Sequence, residues 1–416
     1  MGRKENKDCH IHTFANGIRW VHKEVKHTKV AHCGMMVDIG SRDERPEELG
    51  IAHFWEHMAF KGTKTKNSAY ILNRIDKLGG ELNAYTTKEK ICFHSSLLSR
   101  HFEKAVELLS DITFNSVFPE KEIEKEKQVI LEEMSMYEDN PEDAIQDQFD
   151  DHIFHGNPLG NNILGTRESV SGFKQEDFYD FINANMSTDR MVFSTVGNLS
   201  VVKAERIIKR YFEEIPVKKA FLNRSNNHFK SKKHEIVKKA ISQAHVMIGR
   251  PAYSLHHPDR LIFFMICNLL GGPAMNARLN LAVREKYGLA YTIDSQYSPY
   301  TDTGLFSIYF GTEKKYIDKT TKLVLQELRK LRDLKLNSGQ LRSTKEQLKG
   351  QLAMSEENNN GFMLMMAKSM LDLGMVESLE SIFTRIDNIT AEDIQRVASE
   401  MFNEEQLNYL IFEPEK

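Results

Sequence analysis

At 416 residues, with 40% hydrophobic and 28% charged side chains, the chain has the composition of a folded protein of two or three domains, not of a disordered or fibrous one. A formal net charge of -3 supplies no overall pull toward nucleic acid or an anionic membrane, and neither is expected as a partner. Its longest apolar run, "LIFFMICNLL" at 261–270, is well short of the ~20 residues a membrane span needs. That run reads as a buried helix.

The first residues, "MGRKENKDCH", carry no apolar signal core and no Arg/Ser-rich amphipathic stretch. Cys9, Cys33, Cys92 and Cys267 form no CxxC pair. Together these features lead us to expect a cytoplasmic protein with free thiols.

"GIRWVHKEV" (17–25) and "VAHCGMMVDIG" (30–40) read as strands, and "ELGIAHFWEHMAF" (48–60) as a helix. Ser68 is placed to cap a following helix that runs through Leu78. "GGELNAYTT" then gives a turn and a strand, and "KICFHSSLL" another strand. Helices are expected near 101–114 and, opened by Pro119, over 120–138.

From Val217 to Lys239 the rhythm stops. Eight Lys/Arg face one Glu there, with little hydrophobic periodicity, so this stretch reads as a solvated basic linker. It divides the chain into domains at 1–216 and 240–416. "KQEDFYDFINANMSTDRMVFSTV" from Lys174 aligns without gaps on "TAEDIQRVASEMFNEEQLNYLIF" from Thr390. Each segment is a helix, a polar turn and an apolar strand, and each closes its half. Duplication explains that match, so the fold is expected to be α+β with two similar halves.

The chemistry concentrates in "HFWEH" (53–57). On a helix, positions four apart share a face, so His53 and His57 can aim two imidazoles at one metal ion. Glu56 lies on the same side and can reach a water there. The order H-x-x-E-H inverts the usual zinc-peptidase motif. A site of this kind needs a third protein ligand, usually a carboxylate. The helix "EKEIEKEKQVILEEMSMYED" offers Glu122, Glu126 and Glu133 beside an apolar stripe of Ile123, Ile130, Met134 and Tyr137. Spacing alone leaves these three open. The pair "CHIH" at 9–12 has strand spacing near a terminus and is not expected to bind metal. His152, His155, His256 and His257 read as turn or surface groups.

"HFWEHMAFKGT" and "EKEKQVILEEM" resemble the inverzincin peptidases of the pitrilysin and mitochondrial-processing-peptidase family, in its bacterial two-domain form. The likeness continues through "GGELNAYTTKE", "NPLGNNILGTRESV" and "LLGGPAMNARLNLAVREKYGLAYTIDS", so it spans both halves. The resemblance implies a zinc metalloendopeptidase with one Zn2+ per chain, held by His53, His57 and Glu133. Glu56 would be its general base, and Glu126 would support the site. It further implies that peptide substrates lie along an edge strand at Asn83 and Ala84. Arg284 and Tyr291, otherwise unremarkable neighbours of a glycine turn, would face the zinc across a closed chamber. Since the family builds its clamshell from four such domains and this chain has two, a homodimer is expected. The alternative is a non-catalytic structural or assembly subunit, which the filled catalytic positions disfavour.

Overall fold

The computed structural model describes residues 3–224, 231 and 233–415. In the first half the chain runs through β1 (Cys9–Thr13), β2 (Arg19–Glu24), β3 (Val30–Val37), α1 (Ile51–Met58), α2 (Ser68–Asp76), β4 (Glu81–Thr86) and β5 (Ile91–Leu98). It continues through α3 (Phe102–Phe114), α4 (Glu120–Asp139), α5 (Pro141–Phe154), α6 (Arg167–Gly172), α7 (Gln175–Asn185), β6 (Met191–Gly197) and α8 (Val201–Phe212). The second half has β7 (His234–Lys239), β8 (Ala244–Ala252), α9 (Arg260–Gly271), a π-helical turn (Asn280–Glu285), β9 (Ala290–Pro299) and β10 (Gly304–Thr312). It closes with α10 (Ile317–Asp333), α11 (Ser338–Glu357), α12 (Asn359–Leu373), α13 (Leu379–Asp387), α14 (Ala391–Met401) and β11 (Asn408–Pro414).

The sheets have the orders β1-β2-β6-β3-β5-β4 and β7-β11-β8-β10-β9. β6 runs parallel to β2 and antiparallel to β3. β11 repeats this against β7 and β8. The second sheet is therefore the first without β1, and the halves are homologous α+β units. The aligned segments before β6 and β11 use the same cap. Asp177 accepts the Lys174 N–H (2.7 Å) and Asp393 accepts the Thr390 N–H (3.0 Å).

Four expectations change. Residues 234–239, read as linker, form β7 and pair with β11, because alternate side chains there (Glu235, Val237) turn inward. Nor is the basic stretch uniformly solvated: Arg224 is inserted between Asp38 (2.7 Å) and Asp43 (2.6 Å). Residues 225–230 and 232 of that stretch lie outside the described residues. The cap of α2 is Asn67, whose side chain accepts the Tyr70 N–H, and Ser68 is the first helical residue. His152 is fully buried in α5, stacked on Phe149, where a turn or surface position was expected.

Packing does not respect the division along the chain. From α5, Ile145, Phe149 and Ile153 cover Met247, Leu410 and Phe412 of the second sheet. From α12, Phe362, Met363, Met366 and Met370 cover Val21, Met36, Cys92 and Val192 of the first. Equivalent helices are thus exchanged between the halves. Each large apolar side chain buried this way contributes about 1.5–3 kcal/mol, so the exchange ties the halves together.

Candidate metal centre

α1 is short, and its orientation is fixed at both ends of its side-chain set. Phe54 packs edge-on against Phe173 and Phe178, and Trp55 against Phe93 and Phe181. With those rings in the core, His53, Glu56 and His57 fall on the opposite face, toward α4 and β4. The buried carboxylate of Glu44 accepts the N–H groups of Gly50 and Ala52, both at 2.9 Å, and so satisfies the first turn. Gly50 has φ of 93°, and a Cβ there would stand 2.4 Å from the Leu164 carbonyl oxygen. No other residue fits that crossing.

His53, His57 and Glu133 each bring one ligand atom to within 4.8 Å of the others. Glu133 Oε2 stands 3.8 Å from His53 Nε2 and 3.5 Å from His57 Nε2. Burial, and then the neighbouring His57, push the His53 pKa down to about 3, so this imidazole is neutral at physiological pH, as a metal ligand must be. His57 Nδ1 lies 3.1 Å from Glu126 Oε1, which leaves Nε2 free to face Glu133. Burial alone would raise the Glu126 carboxyl; hydrogen bonds from His57 and Lys61 outweigh it and hold it below the ordinary value. Two imidazole nitrogens and a carboxylate oxygen, converging on one point, fit a zinc ion.

Of the three glutamates left open by spacing, Glu133 reaches the histidines and Glu126 supports one of them. Glu122 instead pairs with Lys125 on the exposed flank of α4. The expected apolar stripe holds for Ile123, Ile130 and Met134, which are buried, while Tyr137 is exposed.

Glu56 sits beside the triad. Burial raises its carboxyl above the usual range, partly countered by a hydrogen bond from Thr86 Oγ1 to Oε2 at 2.6 Å. A cleft of about 310 Å³ opens here, lined by Glu56, His57, Phe60, Lys61, Asn83 and Ala84 among others. β4 is a terminal strand of its sheet, so among the described residues its outer backbone edge has no strand partner.

Arg284 and Tyr291 are brought together elsewhere. Arg284 lies in the π-helical turn with its guanidinium carbon 5.3 Å from the centre of the Tyr291 ring. Tyr291, on the outermost strand of the second sheet, is 82% exposed. Among the described residues, no hydrogen bond, ion pair or ring contact links either to the histidines or to Glu133.

Two members of the cluster lie beyond what the sequence reading reached. Lys61 donates to Glu126 Oε2 at 2.6 Å, and Thr86 binds Glu56. Periodicity held a signal for both. Lys61 follows His57 by four residues, and Thr86 follows Ala84 by two, on the same strand face.

Residues 19–167 match the model of the insulinase (peptidase family M16) domain, and residues 172–348 match that of the M16 inactive domain. A Bacillus subtilis protein named an uncharacterized zinc protease is 33% identical over 400 residues, 96% of this chain and 97% of its own length. A Rickettsia felis protein of the same description is 32% identical over 403 residues, 96% of each chain. The crystal structure of a protease from Helicobacter pylori superposes with a TM-score of 0.90 at 20% identity, covering 99% of this chain and all of that one. A structure from Pseudomonas fluorescens described as a peptidase M16 inactive domain gives 0.88 at 20% identity, covering 98% and 99%.

Proposed function

The chain belongs to the M16 (insulinase) family of peptidases, and on that premise we propose that it is a zinc-dependent endopeptidase acting on extended peptides or short unfolded polypeptides. The observation that carries this reading is the convergence of His53, His57 and Glu133 within 4.8 Å, with the half-buried carboxylate of Glu56 beside them. These three side chains would hold one zinc ion per chain, which when bound supplies a Lewis acid for activating water and polarising a peptide carbonyl.

The remaining work belongs to the chain's own groups. Glu56 accepts the proton of the attacking water at its carboxylate and returns it to the leaving amine. Glu126 keeps the His57 Nδ1–H donated to itself, so that the other nitrogen faces the ligand cluster. The open edge of β4 pairs with an extended backbone at Asn83 and Ala84, which places a scissile bond over Glu56 with little demand on sequence. Tyr291 and Arg284 stabilise the developing oxyanion and hold the substrate carbonyl.

Because, among the described residues, Tyr291 and Arg284 make no hydrogen bond, ion pair or ring contact with the ligand cluster of their own chain, a second copy is the economical source of them. The active form would be a homodimer enclosing a clamshell chamber, each site drawing zinc ligands from one subunit and the Arg/Tyr pair from its partner. The four free cysteines support a reducing, cytoplasmic setting.

Zinc-loaded protein is expected to cut a quenched extended peptide, and Glu56→Gln to lower that rate about 10³-fold with zinc retained. A Glu56→Gln protein that keeps its rate would remove Glu56 as the base. Mixed dimers of Glu56→Gln and Tyr291→Phe chains should recover activity, since one of the two sites is then intact. Recovery absent from a verified mixed dimer would end the shared-site arrangement.

A further inference from the structure

Three consecutive charged residues occupy the tip of the β4–β5 hairpin, where solvent exposure would be ordinary, yet Lys88, Glu89 and Lys90 are 6%, 5% and 6% exposed. Each is bound in a different direction. Lys88 pairs with Asp150 of α5 (2.9 Å) and donates to the Asn161 carbonyl (2.6 Å). Glu89 pairs with Arg42 (2.5 Å) and accepts the Thr301 N–H from the β9–β10 turn of the second half at 3.1 and 3.2 Å. Lys90 pairs with Asp372 at the end of α12 (2.6 Å). Arg42 also holds Asp302 at 2.8 Å, which closes the knot against the second half. Buried ion pairs of this kind are costly to form, and breaking one by removing a partner costs more. Spending three of them on a four-residue turn implies that its position matters.

What the turn fixes is Thr86, the last residue of β4. Thr86 pairs with Ile91 across the hairpin, and the turn itself is closed by the Thr87 N–H to Lys90 carbonyl bond (2.8 Å) and the Lys90 N–H to Thr87 Oγ1 bond (2.9 Å). Its hydroxyl donates to Glu56 Oε2 at 2.6 Å, and among the described residues Oε1 of Glu56 has no hydrogen bond or ion pair. A glutamate carboxylate otherwise turns freely about its last torsion. A threonine, by contrast, is stiff at χ1.

Resting on the hydrolase reading above, we propose that Thr86 is a positioning residue of the reaction: its hydroxyl clamps one oxygen of Glu56 so that the other faces the ligand cluster, and the ion-paired hairpin tip holds Thr86 at that reach. The second half thereby contributes to the first half's general base without touching it. Misplacing a reacting group by about 1 Å can cost about 10²-fold, which is the scale this clamp protects.

The test compares zinc-loaded wild type, Thr86→Ser and Thr86→Val on one quenched peptide. Thr86→Val is expected to lower kcat about 10- to 100-fold with KM within about two-fold and zinc content unchanged, while Thr86→Ser restores most of kcat. A Thr86→Val kcat equal to wild type, or equal losses in Ser and Val, would overturn the proposal, because neither outcome depends on the hydroxyl. Glu89→Gln, which keeps an acceptor for Thr301, should lower kcat less, and its effect should largely vanish in the Thr86→Val background; full additivity would remove the tip from the account. Failure of the underlying reading has a separate signature, namely no cleavage by wild type or undiminished cleavage by Glu56→Gln. In that event crystal structures still decide the clamp: one fixed Glu56 carboxylate orientation in both wild type and Thr86→Val overturns it, and reorientation or disorder in the variant alone supports it.

Discussion

The two halves share a strand order, a parallel closing strand and an exchanged helix, yet among the described residues one gathers a cluster that could hold a metal and the other does not. α4 and α11 are both 20 residues long, and each is followed by an asparagine, Asn140 or Asn358, that caps the next helix. Counted back from those asparagines, Glu126 and Glu133 fall on Thr344 and Gln351, whereas Ile130 falls on the equally buried Leu348. α9, which stands against β9 as α1 stands against β4, carries no histidine or carboxylate. The apolar pattern is kept while the counterparts of Glu126 and Glu133 are a threonine and a glutamine, so the fold depends on the pattern and the candidate site on a handful of side chains placed over it.

That comparison can be broken most directly by making the first half resemble the second. Glu133→Gln, the residue of the counterpart helix, should remove tight zinc binding and lower peptide cleavage about 10³-fold or more, read by metal analysis and a quenched-peptide assay. Gln351→Glu should change neither. Glu126→Thr, again copying the counterpart, should weaken zinc affinity or activity about 10- to 100-fold, measured by competition with a chromogenic chelator.

The bond between the halves is sharpened by Lys90 and Asp372, whose side chains are both buried. Asp372→Asn leaves an uncompensated ammonium and should cost about 3–5 kcal/mol in urea unfolding. Stripping zinc from wild type is a smaller perturbation, since the cores of both sheets are packed from apolar side chains and not from His53, His57 or Glu133. Stability should fall by about 2.7 kcal/mol relative to protein with free zinc at one hundred times its dissociation constant, and calorimetry should show a fold that persists.

The smallest effect is a pH slope. In metal-free protein the folded state holds the His53 pKa at about 3 against the ordinary imidazole value of about 6.5, so the unfolded chain binds the extra proton between those limits. Stability should therefore rise with pH from about 3 to about 6.5 and level off above, with this one group contributing at most about 1.4 kcal/mol per pH unit. His53→Asn should flatten that slope, as measured by denaturant titrations at pH 5 and pH 7.

Much of this site was legible in the linear chain because helical and strand periods are local. The spacing of His53, Glu56 and His57 needs only one turn of helix to put them on one face, and the Lys174 and Thr390 segments repeat because each specifies the same cap, turn and strand. Other features were illegible for equally physical reasons. Spacing along α4 could not choose among Glu122, Glu126 and Glu133, because the choice depends on where α1 crosses it. The strand at 234–239 was hidden by Lys238 and Lys239, of which Lys238 faces solvent while Lys239, on the inward face with Val237, lies over the Phe412 ring. His152 was misjudged because burial in α5 comes from a sheet almost a hundred residues downstream.

The sequence by itself determined a duplicated α+β chain with two histidines and a glutamate on one helical face, since those properties follow from periodicity within a few turns or strands. Only the tertiary structure decided that Glu133 meets the histidines, that Glu126 and Lys61 line up behind His57, and that α5 and α12 change places. Those outcomes depend on how elements far apart in the chain pack against one another, and packing is fixed by the mutual fit of surfaces that no local pattern encodes.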